Sequence, residues 1–107
     1  MIGQIVTVTV DRPLGSRHPD YSDMIYPINY GYVKGLMAAD GEEQDAYIIG
    51  IDTPVPEFTG RVIAIIHRFD DIEDKLVVAP DDVVLSKSEI INKTRFQEKY
   101  FKIEVEV

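Results

Sequence analysis

The chain has 107 residues, 45% hydrophobic and 28% charged, enough to bury one core and too few for a substrate domain plus a separate regulatory one. Its 19 acidic against 11 basic side chains give a net charge of -8, which opposes binding to a polyanion through a general basic surface and disfavours a nucleic-acid partner. Without cysteine there is neither a disulfide nor a thiolate nucleophile, and His18 and His67 stand at no familiar zinc spacing.

Residues 2–10 alternate, with Val6, Val8 and Val10 on one face and Thr7 and Thr9 on the other, which predicts a half-buried strand ended by Asp11. Residues 12–23 collect Pro13, Gly15, Ser16, Pro19, Asp20 and Ser22 and read as a loop. Residues 24–33 are aromatic and β-rich but contain Pro27, which predicts a short edge or bulged strand. Residues 46–51 and 61–69 are short runs rich in Ile and Val, set off by Gly41, Pro54, Pro56 and Gly60, and predict strands. Residues 75–79 predict another strand before Pro80.

Ser86 and Glu89 have the spacing of a capping box, opening a helix whose apolar contacts are Ile90, Ile91, Phe96 and Tyr100. Phe101, Ile103, Val105 and Val107 alternate with Lys102, Glu104 and Glu106 as a closing amphipathic strand. The expected architecture is mainly β: a small closed antiparallel OB-like β-barrel with a C-terminal helix and a terminal strand, residues 1–107 forming one domain. No apolar run reaches the roughly 18 residues that span a membrane, and the start lacks a signal peptide's basic and apolar blocks. A cytoplasmic location without membrane contact is expected. The amphipathic first and last strands and the small core suit a homo-oligomer.

Carboxylates concentrate at two turns, Asp40-Gly41-Glu42-Glu43-Gln44-Asp45 and Asp70-Asp71-Ile72-Glu73-Asp74, each leading into a predicted strand. Such clusters repel themselves unless they are fully solvated or gathered round a divalent cation. Magnesium takes one or two carboxylates and completes its shell with water and phosphate oxygens. The bland alternative is a pair of solvated hairpin loops. Likewise Tyr26, Tyr30 and Tyr32 fit strand packing, and Lys75 fits the charge that blunts a strand edge.

The order Tyr26-Pro27-Ile28-Asn29-Tyr30-Gly31-Tyr32, then the first acidic turn, then Asp74-Lys75-Leu76-Val77-Val78-Ala79-Pro80, resembles the soluble, family I inorganic pyrophosphatases. Their signature reads Tyr-Pro-x-Asn-Tyr-Gly, Asp-Gly-Asp-Pro-x-Asp and an acidic turn into Lys-x-x-x-x-Pro, so the resemblance covers roughly residues 6–80. It implies magnesium-dependent hydrolysis of pyrophosphate, or another small phosphoanhydride, by metal-activated water; manganese is another divalent cation it admits.

Residue by residue, it implies metal ligands at Asp11, Asp40, Glu42, Asp45 and Asp70, with Asp74 or Glu73 in the last acidic role. It makes Glu42, Tyr30 and Lys75 catalytic, and Arg17, Tyr26, Lys75, Tyr100 and Lys102 substrate contacts. Glu42 stands where the family has its central aspartate, and the segment between Asp11 and Tyr26 is shorter than the family's. These departures imply reduced activity and keep a second reading open, a weakened relative that binds a phosphate or nucleotide ligand as a sensor or regulatory protein. An oligonucleotide-binding barrel is suggested by fold class alone, against which the net charge argues.

Overall fold

The computed structural model describes residues 1–107. Six strands and one helix follow in the order β1 (Ile5–Arg12), β2 (Asn29–Met37), β3 (Glu43–Ile48), β4 (Glu57–Arg68), β5 (Asp74–Ala79), α1 (Lys87–Glu98) and β6 (Ile103–Glu106). Strand order is β1-β2-β3-β5-β4, and β1 pairs again with β4, so five strands close into an OB-like barrel while β6 extends β4 outside the closure. No helix is long and apolar enough to cross a membrane.

Alternation along the strands sorts the apolar residues into two cores. Val8, Val33, Ala46, Ile48, Val62, Leu76 and Val78 fill the barrel, joined by Val6 and Val10 from the predicted face of β1. Tyr30, Tyr47, Ala64, Ile66 and Val77 lie on the other face of the same strands and pack with Ile90 of α1, Val105 of β6 and Tyr26. The helix therefore closes a second core against the outside of the barrel, and the candidate site lies along its margin.

Three expectations change. The barrel is antiparallel at every seam except β3–β5, which is parallel, because two chain reversals through β4 return β5 to the direction of β3. β2 is bulged rather than an edge: it starts at Asn29, two residues after Pro27, pairs with both β1 and β3, and its register against β3 shifts between Val33 and Met37. Pro27 thus lies outside the ladder that its missing N–H would interrupt. The capping box of α1 forms as expected, with Ser86 Oγ accepting from Glu89 N and Glu89 Oε1 accepting from Ser86 N. The buried face of the helix, however, is Ile90, Thr94 and Glu98, while Ile91 and Tyr100 are exposed.

Candidate functional site

A cleft of about 1310 Å³ runs along the margin between the barrel and α1. β1 enters it through a β-bulge: Val10 pairs with Gly31 and Arg12 with Tyr30, leaving Asp11 as the extra residue. A bulge re-aims the side chains around it, and here both Asp11 and Arg12 line the cleft. The bulge explains the glycine of the Asn-Tyr-Gly motif. A Cβ on Gly31 would stand 1.9 Å from the backbone oxygen of Thr9, so only glycine lets β1 and β2 approach this closely.

Lys75 is the centre of the floor. Its side chain is only 3% exposed, and Nζ donates to Asp45 Oδ2 at 2.5 Å, Glu73 Oε2 at 2.9 Å and Tyr30 Oη at 3.0 Å. Three acceptors meet the three ammonium protons, which is what a buried charge requires. The parallel β3–β5 pairing makes this possible: Ala46 opposite Leu76 sets Asp45 beside Lys75. Burial pulls the Lys75 pKa down, but Tyr30 and Asp45 outweigh it, and the ammonium is held above its ordinary range. Burial likewise pushes the Tyr30 phenol up.

Beside it lies a buried ion pair absent from the sequence expectations. Arg68 Nε and Nη2 meet Glu98 Oε1 and Oε2 at 2.9 and 2.6 Å, a bidentate contact between side chains 4% and 1% exposed. Arg68 Cζ lies 3.7 Å from the Phe101 ring centroid, and Nη1 reaches Glu73 Oε2 at 3.2 Å. Glu73 accordingly joins Arg68 to Lys75. Tyr47 Oη donates to Glu98 at 2.6 Å and accepts from Gln97 at 2.7 Å; Tyr26 Oη donates to Gln97 at 2.8 Å and accepts from Arg12 at 3.0 Å. One polar network thus runs from the bulge through α1 to Lys75.

The sequence carried a signal for this pair. Arg68 continues the buried set Ala64 and Ile66 at period two, and Glu98 continues Ile90 and Thr94 at helical spacing. Charges at apolar positions of such patterns find a partner.

Of the residues the resemblance implies, Asp11, Tyr30, Asp45, Glu73, Lys75 and Tyr100 line the cleft. Tyr26 is fully buried behind it. Asp40 and Glu42 lie on the turn between β2 and β3, where Asp40 Oδ1 accepts from Glu42 N at 3.0 Å and the Glu42 side chain is exposed. Asp70 accepts from Lys102 N on an exposed turn. Asp74, adjacent to Glu73 on the extended chain and so turned the other way, pairs with His67 at 3.2 Å. Arg17 donates to Ser22 O at 2.8 Å, and the Lys102 side chain is exposed.

The expected ligands therefore do not gather. No three His, Asp or Glu side chains are placed to hold a metal ion, because the hairpin carries Asp40 and Glu42 past the end of the barrel while Lys75 engages Asp45 and Glu73. A single pair keeps the donor chemistry for magnesium. Asp11 and Asp45 share the cleft; burial raises the Asp11 pKa, Arg12 opposes the rise and Asp45 adds to it. Two carboxylates suffice for an ion whose remaining ligands are water and phosphate.

The closed OB-like barrel with its C-terminal helix is the fold of solved inorganic pyrophosphatases. The inorganic pyrophosphatase of Ehrlichia chaffeensis superposes with a TM-score of 0.74 at 17% identity, covering 99% of this chain and 87% of that one. That of Neisseria gonorrhoeae gives 0.69 at 21% identity, over 92% and 74%. Sequence relatives agree. The inorganic pyrophosphatase of Corynebacterium efficiens is 29% identical over 96 residues, 72% of this chain and 61% of its own length. That of Gluconobacter oxydans is 30% identical over 89 residues, 77% of this chain and 51% of its own. No family model matches. The chain is a relative of the inorganic pyrophosphatases that spans between half and two thirds of these two sequences.

Proposed function

We propose that the chain hydrolyses inorganic pyrophosphate with magnesium, its reaction centred on Lys75. The observation that supports this reading is the buried ammonium with its two carboxylates and Tyr30, in a cleft that also holds Asp11 and Arg12. Lys75 and Arg12 bind phosphoryl oxygens by charge-assisted hydrogen bonds, Lys75 exchanging a carboxylate for a phosphate as substrate enters. Tyr30 keeps its proton through the physiological range and donates a hydrogen bond to a phosphate oxygen. Asp11 and Asp45 would hold a magnesium ion, which when bound would neutralise charge and acidify a water. Asp40, Glu42, Asp70 and Asp74 have no part in this reading.

The test is phosphate release from pyrophosphate with and without magnesium. Release that needs magnesium and falls on the order of a hundredfold in Lys75→Met, at unchanged circular dichroism, supports the reading. No release by the unaltered protein at any magnesium concentration refutes it.

A further inference from the structure

The cleft is much larger than pyrophosphate, and its walls differ in chemistry. At about 1310 Å³ it exceeds the roughly 300–1,000 Å³ that encloses a drug-sized ligand. Lys75, Arg12 and Arg68 line the barrel floor, and a fourth cation, Lys99, lines the cleft at the end of α1. Phe96, Gln97, Tyr100 and Phe101 form one wall from α1 and the turn after it, and a β-hairpin arm, residues 15–26, forms another. Gly15 N donates to Tyr26 O at 2.7 Å, Tyr26 N to Ser16 O at 2.9 Å and His18 N to Met24 O at 2.8 Å, while Arg17 pairs with Ile25. At its tip Tyr21 is 64% exposed with its ring centroid 5.0 Å from that of His18, and Ile25 is also exposed along the cleft.

Asp20 and Asp23 line the cleft beside Tyr21. Two carboxylates repel a polyanion, so the part of a ligand lying on the arm is neutral. An exposed aromatic ring, here tilted 46° from its His18 neighbour, offers a face for a planar group, and the neighbouring carboxylates accept hydrogen bonds from hydroxyl or amino groups. A phosphate chain on the floor, hydroxyls near Asp20 and Asp23 and a planar base on Tyr21 together describe one ligand class.

We infer that the cleft takes a nucleoside 5′-polyphosphate, its phosphates on the Lys75 floor and its base on Tyr21. The inference rests on the reading of the floor as a phosphoanhydride site and adds the arm as the element that selects the substituent. Bare pyrophosphate reaches only the floor.

Calorimetry with adenosine triphosphate and inorganic tripolyphosphate, both with magnesium, tests this. The nucleotide should bind on the order of tenfold more tightly than tripolyphosphate, the size of effect that base stacking on an aromatic ring supplies. Tyr21→Ala should remove that difference without moving tripolyphosphate affinity, and Tyr21→Phe should restore it. Because Tyr21 is exposed, neither change threatens the fold. Equal affinity for the two ligands, or a difference that survives Tyr21→Ala, overturns the inference. Pyrophosphate turnover on the same preparations separates the two readings. Turnover without a nucleotide preference overturns this inference alone, and a Tyr21-dependent nucleotide preference without turnover overturns the hydrolysis reading alone. Failure of both ligands to bind overturns this inference, and together with absent pyrophosphate turnover it overturns both.

Discussion

Arg68 and Glu98 illustrate how much a pair of side chains can carry once both are out of water. Each alone would be an uncompensated buried charge, so Glu98→Ala should destabilise the fold by about 3–5 kcal/mol in urea denaturation. The double replacement Arg68→Met with Glu98→Leu should recover most of that loss, since an apolar pair of similar volume removes the desolvation cost as well. His67 makes a pH-dependent contribution of opposite exposure. Its Nε2 is 2.8 Å from Glu106 Oε1 and its Nδ1 is 3.2 Å from Asp74, tying β6 and β5 to β4. The Glu106 hydrogen bond raises its pKa above 6.5, burial works against it and Asp74 adds to the rise. A folded-state pKa above the unfolded one gives stability that is complete below about pH 6.5 and lost as pH rises through the folded value. Denaturation midpoints of His67→Gln and the unaltered protein should therefore differ most at acid pH and converge in mildly alkaline buffer.

At the scale of elements, β1 approaches Gly31 too closely at its bulge to leave room for a side chain. Gly31→Ala forces a Cβ into the Thr9 carbonyl, so a loss of about 1–3 kcal/mol or more is expected in thermal denaturation. The same change would re-aim Asp11 and Arg12, so the proposed pyrophosphate turnover should fall even in folded protein. Helix α1 gives a milder case. Ser86→Ala removes its capping box and should cost about 1 kcal/mol, measured by the same denaturation. Asn29 shows a motif residue with a structural duty: fully buried, it accepts from Leu14 N and Val55 N and donates to Thr53 O. Strand positions were legible because alternation repeats over several residues, as Val6, Val8 and Val10 do. The direction of the β3–β5 seam was not, because it depends on the path of β4 between them.

Across the whole molecule, period and composition determined a mainly β barrel, its capped helix and its closing strand, since these arise from local repeats of apolar and turn-forming residues. The ordered motifs also determined the relationship to pyrophosphatases and brought forward Asp11, Tyr30, Asp45 and Lys75. Only the tertiary structure decided which acids meet. Asp40 and Glu42 are three to five residues from Asp45 in sequence, yet the turn carries them away from the cleft, while Glu73, 28 residues beyond Asp45, meets it across Lys75. It also decided that Arg68 and Glu98 pair and that the arm faces the cleft. Spacing along a chain sets the face on which a side chain stands, whereas convergence depends on strand register and on how a helix returns to the barrel.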